Sequence, residues 1–137
     1  MGNKTILIVD DDPDIREGMH VRLKYNGYDT HFATDALSCV AVALKEKPDL
    51  IILDLGLPEG DGFHAIEGVK GHPTLRMIPI VVVSARDARA NQERAIQAGA
   101  TAYLQKPVDN AEFLAVIRKA LGELAPGEKP GETAVIA

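Results

Sequence analysis

Polar side chains follow the apolar runs of this chain at the points where strands would end. They are Asp10, Asp11 and Asp12 after the first run, Asp54 after the third, Ser84 after the fourth and Lys106 after the fifth. In an open parallel sheet the carboxyl ends of the strands meet at one edge, so these groups would gather there. Asp54 is the most informative, because a charge at the mouth of a buried strand is costly unless a neighbouring group favours it.

The combination of carboxylates, an ammonium group and a hydroxyl indicates phosphoryl chemistry. Crowded carboxylates raise one another's pKa unless a cation intervenes, and oxygen ligands select a hard divalent ion. Mg²⁺ suits such a site best, because it keeps waters that a phosphate oxygen can replace. Lys106 would add a positive charge and Ser84 a rotatable donor, which together describe a phosphoryl-binding site. A carboxylate nucleophile, Asp54, would then form an aspartyl phosphate.

Each of these residues also has a simpler interpretation when it is taken alone. Asp10 and Asp11 could form a solvated acidic turn. Ser84 could cap the helix that follows it, and Lys106 could be a surface lysine before a turn proline. The convergence of all of them at one edge favours the functional interpretation.

Five apolar runs alternate with amphipathic segments along the chain. The runs cover residues 5–9, 28–33, 50–53, 78–83 and 100–104. Strands that alternate with helices predict an α/β fold, a doubly wound parallel sheet with helices on both faces. Two of the runs, residues 50–53 and 78–83, are purely aliphatic, as strands buried on both faces should be.

The segments between the runs have helical spacing. The predicted core-facing stripes are Ile15, Met19 and Leu23; Leu37, Val40, Ala41 and Leu44; and Phe113, Leu114, Ile117, Ala120 and Leu121 within a helix over residues 109–124. Asp12 and Pro13 have the pattern of an N-cap and first helical residue. Gly27 and Gly99 are placed where helices should end, and residues 58–62 have the composition of a turn.

Composition limits the class of protein. The chain of 137 residues suffices for one domain, and its net charge of −5 argues against a nucleic-acid-binding surface. No apolar run approaches the ~20 residues of a membrane helix, and no signal peptide is recognisable, so we expect a cytoplasmic protein. The single cysteine, Cys39, cannot form an internal disulfide and is predicted to be a core residue. Residues 125–137 are expected to be a flexible tail or the start of a linker.

Four motifs make the chain resemble the receiver domain of two-component response regulators over roughly residues 4–124. They are ILIVDDDPDI, LIILDLGLPEGDG, IPIVVVSAR and GATAYLQKPV, in the order and spacing of that family. The resemblance implies one receiver domain over residues 1–124 with a flavodoxin-like (βα)5 fold, a five-stranded sheet in the order 2-1-3-4-5. It also implies a cis peptide bond before Pro107.

The resemblance assigns roles by motif position. Asp54 would accept a phosphoryl group from a sensor histidine kinase or a phosphotransfer protein. The Mg²⁺ ligands would be Asp54, Asp11 directly, Asp10 mainly through water, and the backbone carbonyl of Gly56. Lys106 would contact the phosphoryl group, and Ser84 and Tyr103 would be the switch residues.

The implied protein is a signalling domain rather than an enzyme, catalysing only its own phosphoryl transfer and slow autodephosphorylation. The face made by the fourth helix, fifth strand and fifth helix would control a downstream protein or a fused output domain, without contacting nucleic acid or membrane itself. A phosphorylation-dependent dimer is a further possibility on which the motifs conflict. Gly56-Leu57-Pro58 is common in the subset with winged-helix outputs, but Thr101 and Ala102 replace two acids of that subset.

Three rival interpretations explain less of the sequence. Magnesium-dependent aspartyl-phosphate hydrolases require a second acid where Gly56 stands, and they carry a substrate cap for which the chain has no room. A flavodoxin-like cofactor site would need a phosphate-binding loop where three acids follow the first strand. A degenerate receiver that serves only for docking would lack some of the site residues, whereas all of them are present.

Overall fold

A computed structural model describes residues 2–58 and 61–123 of the chain, as five strands and five helices in strict alternation. The strands are β1 (Thr5–Val9), β2 (Asp29–Ala33), β3 (Leu50–Leu53), β4 (Ile80–Ser84) and β5 (Ala102–Gln105). The helices are α1 (Pro13–Tyr25), α2 (Ala36–Glu46), α3 (Asp61–Lys70), α4 (Ala88–Ala98) and α5 (Asn110–Ala120). The predicted alternation is therefore confirmed.

All strand pairs are parallel, and the sheet has the order β2-β1-β3-β4-β5. Every residue of β3 and β4 is buried, as their aliphatic composition predicted. Alternate residues of these strands enter two separate cores. One core lies under α2, α3 and α4, and the other lies under α1 and α5. The predicted fold class and strand order are confirmed.

The ends of the helices follow local capping chemistry. The side chain of Asp12 accepts hydrogen bonds from the first turn of α1, and Pro13 is the first residue of that helix. Gly99 ends α4 with a φ of 124°, a conformation that favours glycine. The last helix is shorter than predicted, because Asp109 is its N-cap and Leu121 its C-cap. The turn predicted over residues 58–62 ends earlier, since α3 already begins at Asp61.

The stripe predicted for α2 is wrong. Leu37 is 83% exposed and Leu44 36%, and Ala41 is also exposed, whereas Val40 is half-buried against the core. The buried residues of this helix are Cys39 and Ala43. A capping box between Asp35 and Ser38 marks where the helix begins, and the face that packs on the core carries Cys39, Val40 and Ala43.

The prediction that Cys39 is a core residue is confirmed, because the side chain is fully buried. Within residues 2–58 and 61–123, no helix has the length and apolar character needed to cross a membrane. The tail predicted over residues 125–137 lies outside the described residues.

Candidate phosphoacceptor site

The fold brings three carboxylates together at the carboxyl edge of the sheet. One carboxylate oxygen from each of Asp10, Asp11 and Asp54 lies within 4.8 Å of the other two. Asp10 follows β1 and its N–H donates to the carbonyl of Ala33, while the N–H of Asp54 donates to the carbonyl of Val9. The last residue of β2 thus holds Asp10, and the last residue of β1 holds Asp54, where each leaves the sheet. The predicted convergence of the acidic residues is present.

Lys106 joins this cluster from the end of β5. Its Nζ lies 3.0 Å from Oδ2 of Asp10 and 3.6 Å from Oδ2 of Asp54. The backbone N–H of Lys106 donates to the carbonyl of Ser84, which holds the lysine at the sheet edge. The peptide bond between Lys106 and Pro107 is cis, as the resemblance implied. Lys106 is therefore not simply a surface lysine before a turn proline.

The carboxyl group of Asp10 is buried inside the fold, with the residue 1% exposed. Burial raises the pKa of its carboxyl, and the backbone N–H of Asp12 and the ammonium group of Lys106 offset part of that rise. Its Oδ1 accepts from Asp12 at 2.9 Å and its Oδ2 from Lys106 at 3.0 Å. Asp10 is thus a buried carboxyl group with both oxygens hydrogen-bonded, and it does not belong to a solvated acidic turn.

The Asp54 side chain is more accessible than that of Asp10, with 12% of it exposed. The N–H of Gly56 donates to Oδ1 of Asp54 at 2.8 Å. A Cβ at position 56 would lie 3.2 and 3.3 Å from the two carboxylate oxygens, so glycine keeps the approach to Asp54 open. An incoming group can therefore reach the carboxylate beside Lys106.

Ser84 and Tyr103 lie on neighbouring strands beside this cluster. Ser84 is fully buried at the end of β4, and its Oγ accepts from the N–H of Arg86 at 3.2 Å. The N-cap of α4 is Asp87, so Ser84 does not cap that helix. Tyr103 is 7% exposed, and its hydroxyl donates to the carbonyl of Arg86 at 2.9 Å. Burial raises the pKa of the Tyr103 hydroxyl.

Two polar residues near the cluster were missed from the sequence. Nη1 of Arg16 donates to the backbone carbonyl of Asp10 at 2.8 Å. Asp61 accepts from the N–H of Ala36 at 2.8 Å and so ties the start of α3 to the start of α2. The start of α1 at Pro13 could have indicated that Arg16 lies one turn along, above the acidic turn. The Asp61 contact joins residues 25 positions apart and had no local signal.

The family model of the response regulator receiver domain matches residues 6–118, which include all of these site residues. The chain belongs to this family. A receiver domain is the phosphoacceptor switch of two-component signalling, and the family, the fold and this general function were all predicted from the sequence.

Similar proteins include transcriptional regulators. The transcriptional regulatory protein KdpE of Mycobacterium tuberculosis is 35% identical over 116 residues, which are 85% of this chain and 50% of that protein. The transcriptional regulatory protein YxdJ of Bacillus subtilis is 37% identical over 134 residues, or 95% of this chain and 56% of that protein. The receiver domain thus spans about half the length of the curated relatives that it matches.

Solved structures share the whole fold. A putative response regulator from Chloroflexus aurantiacus has a TM-score of 0.83 at 29% identity, over 90% of this chain and 100% of its own. The receiver domain of the sensor histidine kinase PA1611 from Pseudomonas aeruginosa has a TM-score of 0.80 at 28% identity, over the same shares. That structure holds a magnesium ion in its active-site cleft.

Proposed function

We propose that this receiver domain is switched by Mg²⁺-dependent transfer of a phosphoryl group to Asp54, from a sensor histidine kinase or a phosphotransfer protein. The observation that carries the proposal is the setting of Asp54, whose carboxylate is open to approach, 3.6 Å from the ammonium group of Lys106 and beside two further carboxylates. A carboxylate that attacks phosphorus requires such cationic surroundings, because negative charge accumulates on the transferred group.

The three carboxylates fit a magnesium site. One oxygen from each lies within 4.8 Å of the other two, and carboxylate oxygens are the hard ligands that Mg²⁺ prefers. Asp11 and Asp54 would bind the ion directly, Asp10 through water, and the carbonyl of Gly56 would add a ligand. When bound, the ion would neutralise the carboxylates and the phosphoryl oxygens. The magnesium ion in the PA1611 receiver domain supports this assignment.

The transfer itself uses groups of this chain. An oxygen of Asp54 attacks the phosphorus of the donor phosphohistidine, the P–N bond breaks, and its electron pair returns to the imidazole. Gly56 holds Oδ1 of Asp54 through its N–H, which leaves Oδ2 beside Lys106. Lys106 then pairs with an oxygen of the transferred group. Little protein rearrangement is needed, because these groups are in place beforehand.

The new charge would change the face formed by α4, β5 and α5. Phosphorylation replaces one negative charge by about two and adds acceptor oxygens. Ser84 would donate to one of them, and Tyr103, whose ring is already buried, would repack against the space that Ser84 leaves beside α4. The charge thereby biases an equilibrium between two states of the domain. A downstream protein or a fused output domain would read this face, and a dimer of phosphorylated chains is a further outcome.

Hydrolysis of the phosphorylated form is expected to be slow. Gly56 offers no side chain to orient a water molecule on the open side of Asp54. Arg86, two residues after Ser84, is the second position whose side chain is expected to influence this rate. We place the domain in the cytoplasm, without direct contacts to nucleic acid.

The variant Asp54→Asn tests the acceptor. Its amide is not a nucleophile, so incubation with radiolabelled acetyl phosphate and Mg²⁺ should leave the variant unlabelled, whereas the wild type is labelled. Asp29→Asn, at the opposite edge of the sheet, is a matched control that should be labelled normally. Undiminished labelling of Asp54→Asn would refute the assignment. If the wild type does not bind beryllofluoride in the presence of Mg²⁺, the result would favour a receiver that serves only for docking over a phosphorylated switch.

A further inference from the structure

The backbone carbonyl of Asp10 lacks the N–H donor that regular parallel pairing with β2 would give it. The N–H of Asp10 still donates to Ala33 on β2, so the next donor along that strand would be the N–H of Asp35. That N–H instead donates to Oγ of Ser38 in the capping box of α2. A buried carbonyl without a donor is costly, and Nη1 of Arg16 supplies the missing bond at 2.8 Å.

This contact completes the restraint of Asp10. Its backbone N–H and both carboxylate oxygens are also hydrogen-bonded, to Ala33, to the N–H of Asp12 and to Lys106. The bond from Arg16 spans six positions and closes the turn between β1 and α1. That turn contains Asp11, which has no hydrogen bond of its own among the described residues that would fix it. Asp11 is therefore placed by the backbone on either side of it.

The contact of Arg16 concerns geometry rather than charge pairing. Among residues 2–58 and 61–123, Arg16 has no carboxylate within 4.0 Å, and its bond goes to an uncharged carbonyl. Arg16 itself is half-buried, so its guanidinium is held against the turn rather than extended into solvent. The bond from Arg16 therefore restrains the main chain of the turn that carries Asp10 and Asp11.

We propose that Arg16 is a positioning residue for the magnesium site, holding the turn that presents Asp10 and Asp11. The inference rests on the proposed function, in which these two residues and Asp54 hold the ion. Without Arg16, the carbonyl of Asp10 must find another donor, and the turn shifts to meet it. The carboxylates of Asp10 and Asp11 are then no longer placed to bind the same Mg²⁺ ion, and they must rearrange when it binds.

Calorimetric titration of the whole chain with MgCl₂ tests the proposal on wild type, Arg16→Ala, Arg16→Lys and Arg22→Ala. Loss of an outer-shell contact weakens metal binding by about tenfold or more, which is the increase in Kd expected for Arg16→Ala. Arg16→Lys keeps the positive charge and an N–H donor group on a shorter side chain, so its Kd should lie between those of Arg16→Ala and wild type. Arg22 lies on the same helix, and Arg22→Ala removes the same charge without touching the turn, so its Kd should equal that of wild type.

A second measurement is made on the metal-free proteins. Amide chemical shifts of residues 10–12 should change in Arg16→Ala and stay unchanged in Arg22→Ala, because only the first variant frees the turn. A wild type that binds no Mg²⁺ would overturn the proposed function itself. Equal Kd values for the two alanine variants, or a weaker Kd with unchanged metal-free shifts, would overturn the role of Arg16. If Arg16→Ala does not fold, the same comparison is made with Arg16→Lys.

Discussion

At the scale of single residues, the buried carboxylate of Asp10 depends on Lys106. Asp10 is nearly inaccessible to water, and the ammonium group of Lys106 contacts its carboxylate, with 19% of the lysine side chain exposed. The same ammonium group lies 3.6 Å from Asp54. Lys106 therefore has two roles, because it stabilises the unphosphorylated fold and also faces the position at which a phosphoryl group would be added.

Lys106→Met removes this charge and keeps the length of the side chain. Asp10 then stays buried without its cation, so the free energy of unfolding should fall by about 2 kcal/mol in Mg²⁺-free buffer. Urea denaturation measures the loss. Lys24→Met is the matched control, because the pair of Lys24 with Asp29 is exposed to solvent and its loss should lower the free energy of unfolding far less. Equal losses in the two variants would contradict the role of Lys106.

At the scale of elements, the connection from β3 to α3 is held from both sides. Asp61 bonds to the first turn of α2, and Gly62 packs directly on the backbone of the acceptor turn. A Cβ on Gly62 would lie 2.5 Å from Cα of Leu55 and 2.9 Å from the carbonyl oxygen of Asp54. Helix α3 can lie this close to the acceptor turn only because residue 62 has no side chain.

Gly62→Ala forces this contact apart. Because the added methyl group meets backbone rather than a mobile side chain, the free energy of unfolding should fall by about 1–3 kcal/mol, measured by urea denaturation. Labelling by acetyl phosphate should slow as well, since Asp54 moves with the turn. Gly18→Ala in α1 is the control, where the added methyl meets nothing within 4 Å and should stabilise by roughly 0.5–1 kcal/mol. A fully stable Gly62→Ala would show that α3 is free to move away.

The sheet and its functional edge could be predicted because their signals are local. Aliphatic runs that end at Asp54 or Ser84 indicate both the strand and the point where it leaves the core. The face of α2 could not be predicted in this way. Leu37 continues an apolar spacing as well as Cys39 does, and only packing against the rest of the fold decides which of them faces the sheet. The contact of Arg16 depends on the capping box of α2, two elements away in the chain, because that box takes up the N–H of Asp35.

At the scale of the whole molecule, a polar cluster joins the start of the chain to the end of the last helix. The hydroxyl of Tyr28 donates to Glu123 at 2.6 Å, and Lys4 lies 3.2 Å from Glu123 and donates to the carbonyl of Leu121. Burial and the neighbouring Glu123 raise the pKa of Tyr28 to about 12. The cluster lies at the edge of the sheet opposite the acceptor and connects residues that are 95 or more positions apart.

The pKa of Tyr28 predicts an alkaline limit to stability. A folded-state pKa above the unfolded value of ~10 means that the stabilisation is complete below pH ~10 and is lost as the pH rises toward 12. The free energy of unfolding, measured in urea between pH 8 and 12, should decline more steeply for wild type than for Tyr28→Phe. Tyr25→Phe, at a residue 90% exposed, should follow wild type. Parallel curves for wild type and Tyr28→Phe would contradict this account.

The burial of Cys39 has a practical consequence for studying the switch. It is the single cysteine of the sequence, and burial raises the pKa of its thiol to about 12. Alkylating reagents attack the thiolate, so the native cysteine should stay unmodified while the domain is folded. A cysteine placed at an exposed position of α4 would then take a fluorophore or spin label selectively. Movement of that helix could be followed spectroscopically in a protein that keeps its native cysteine.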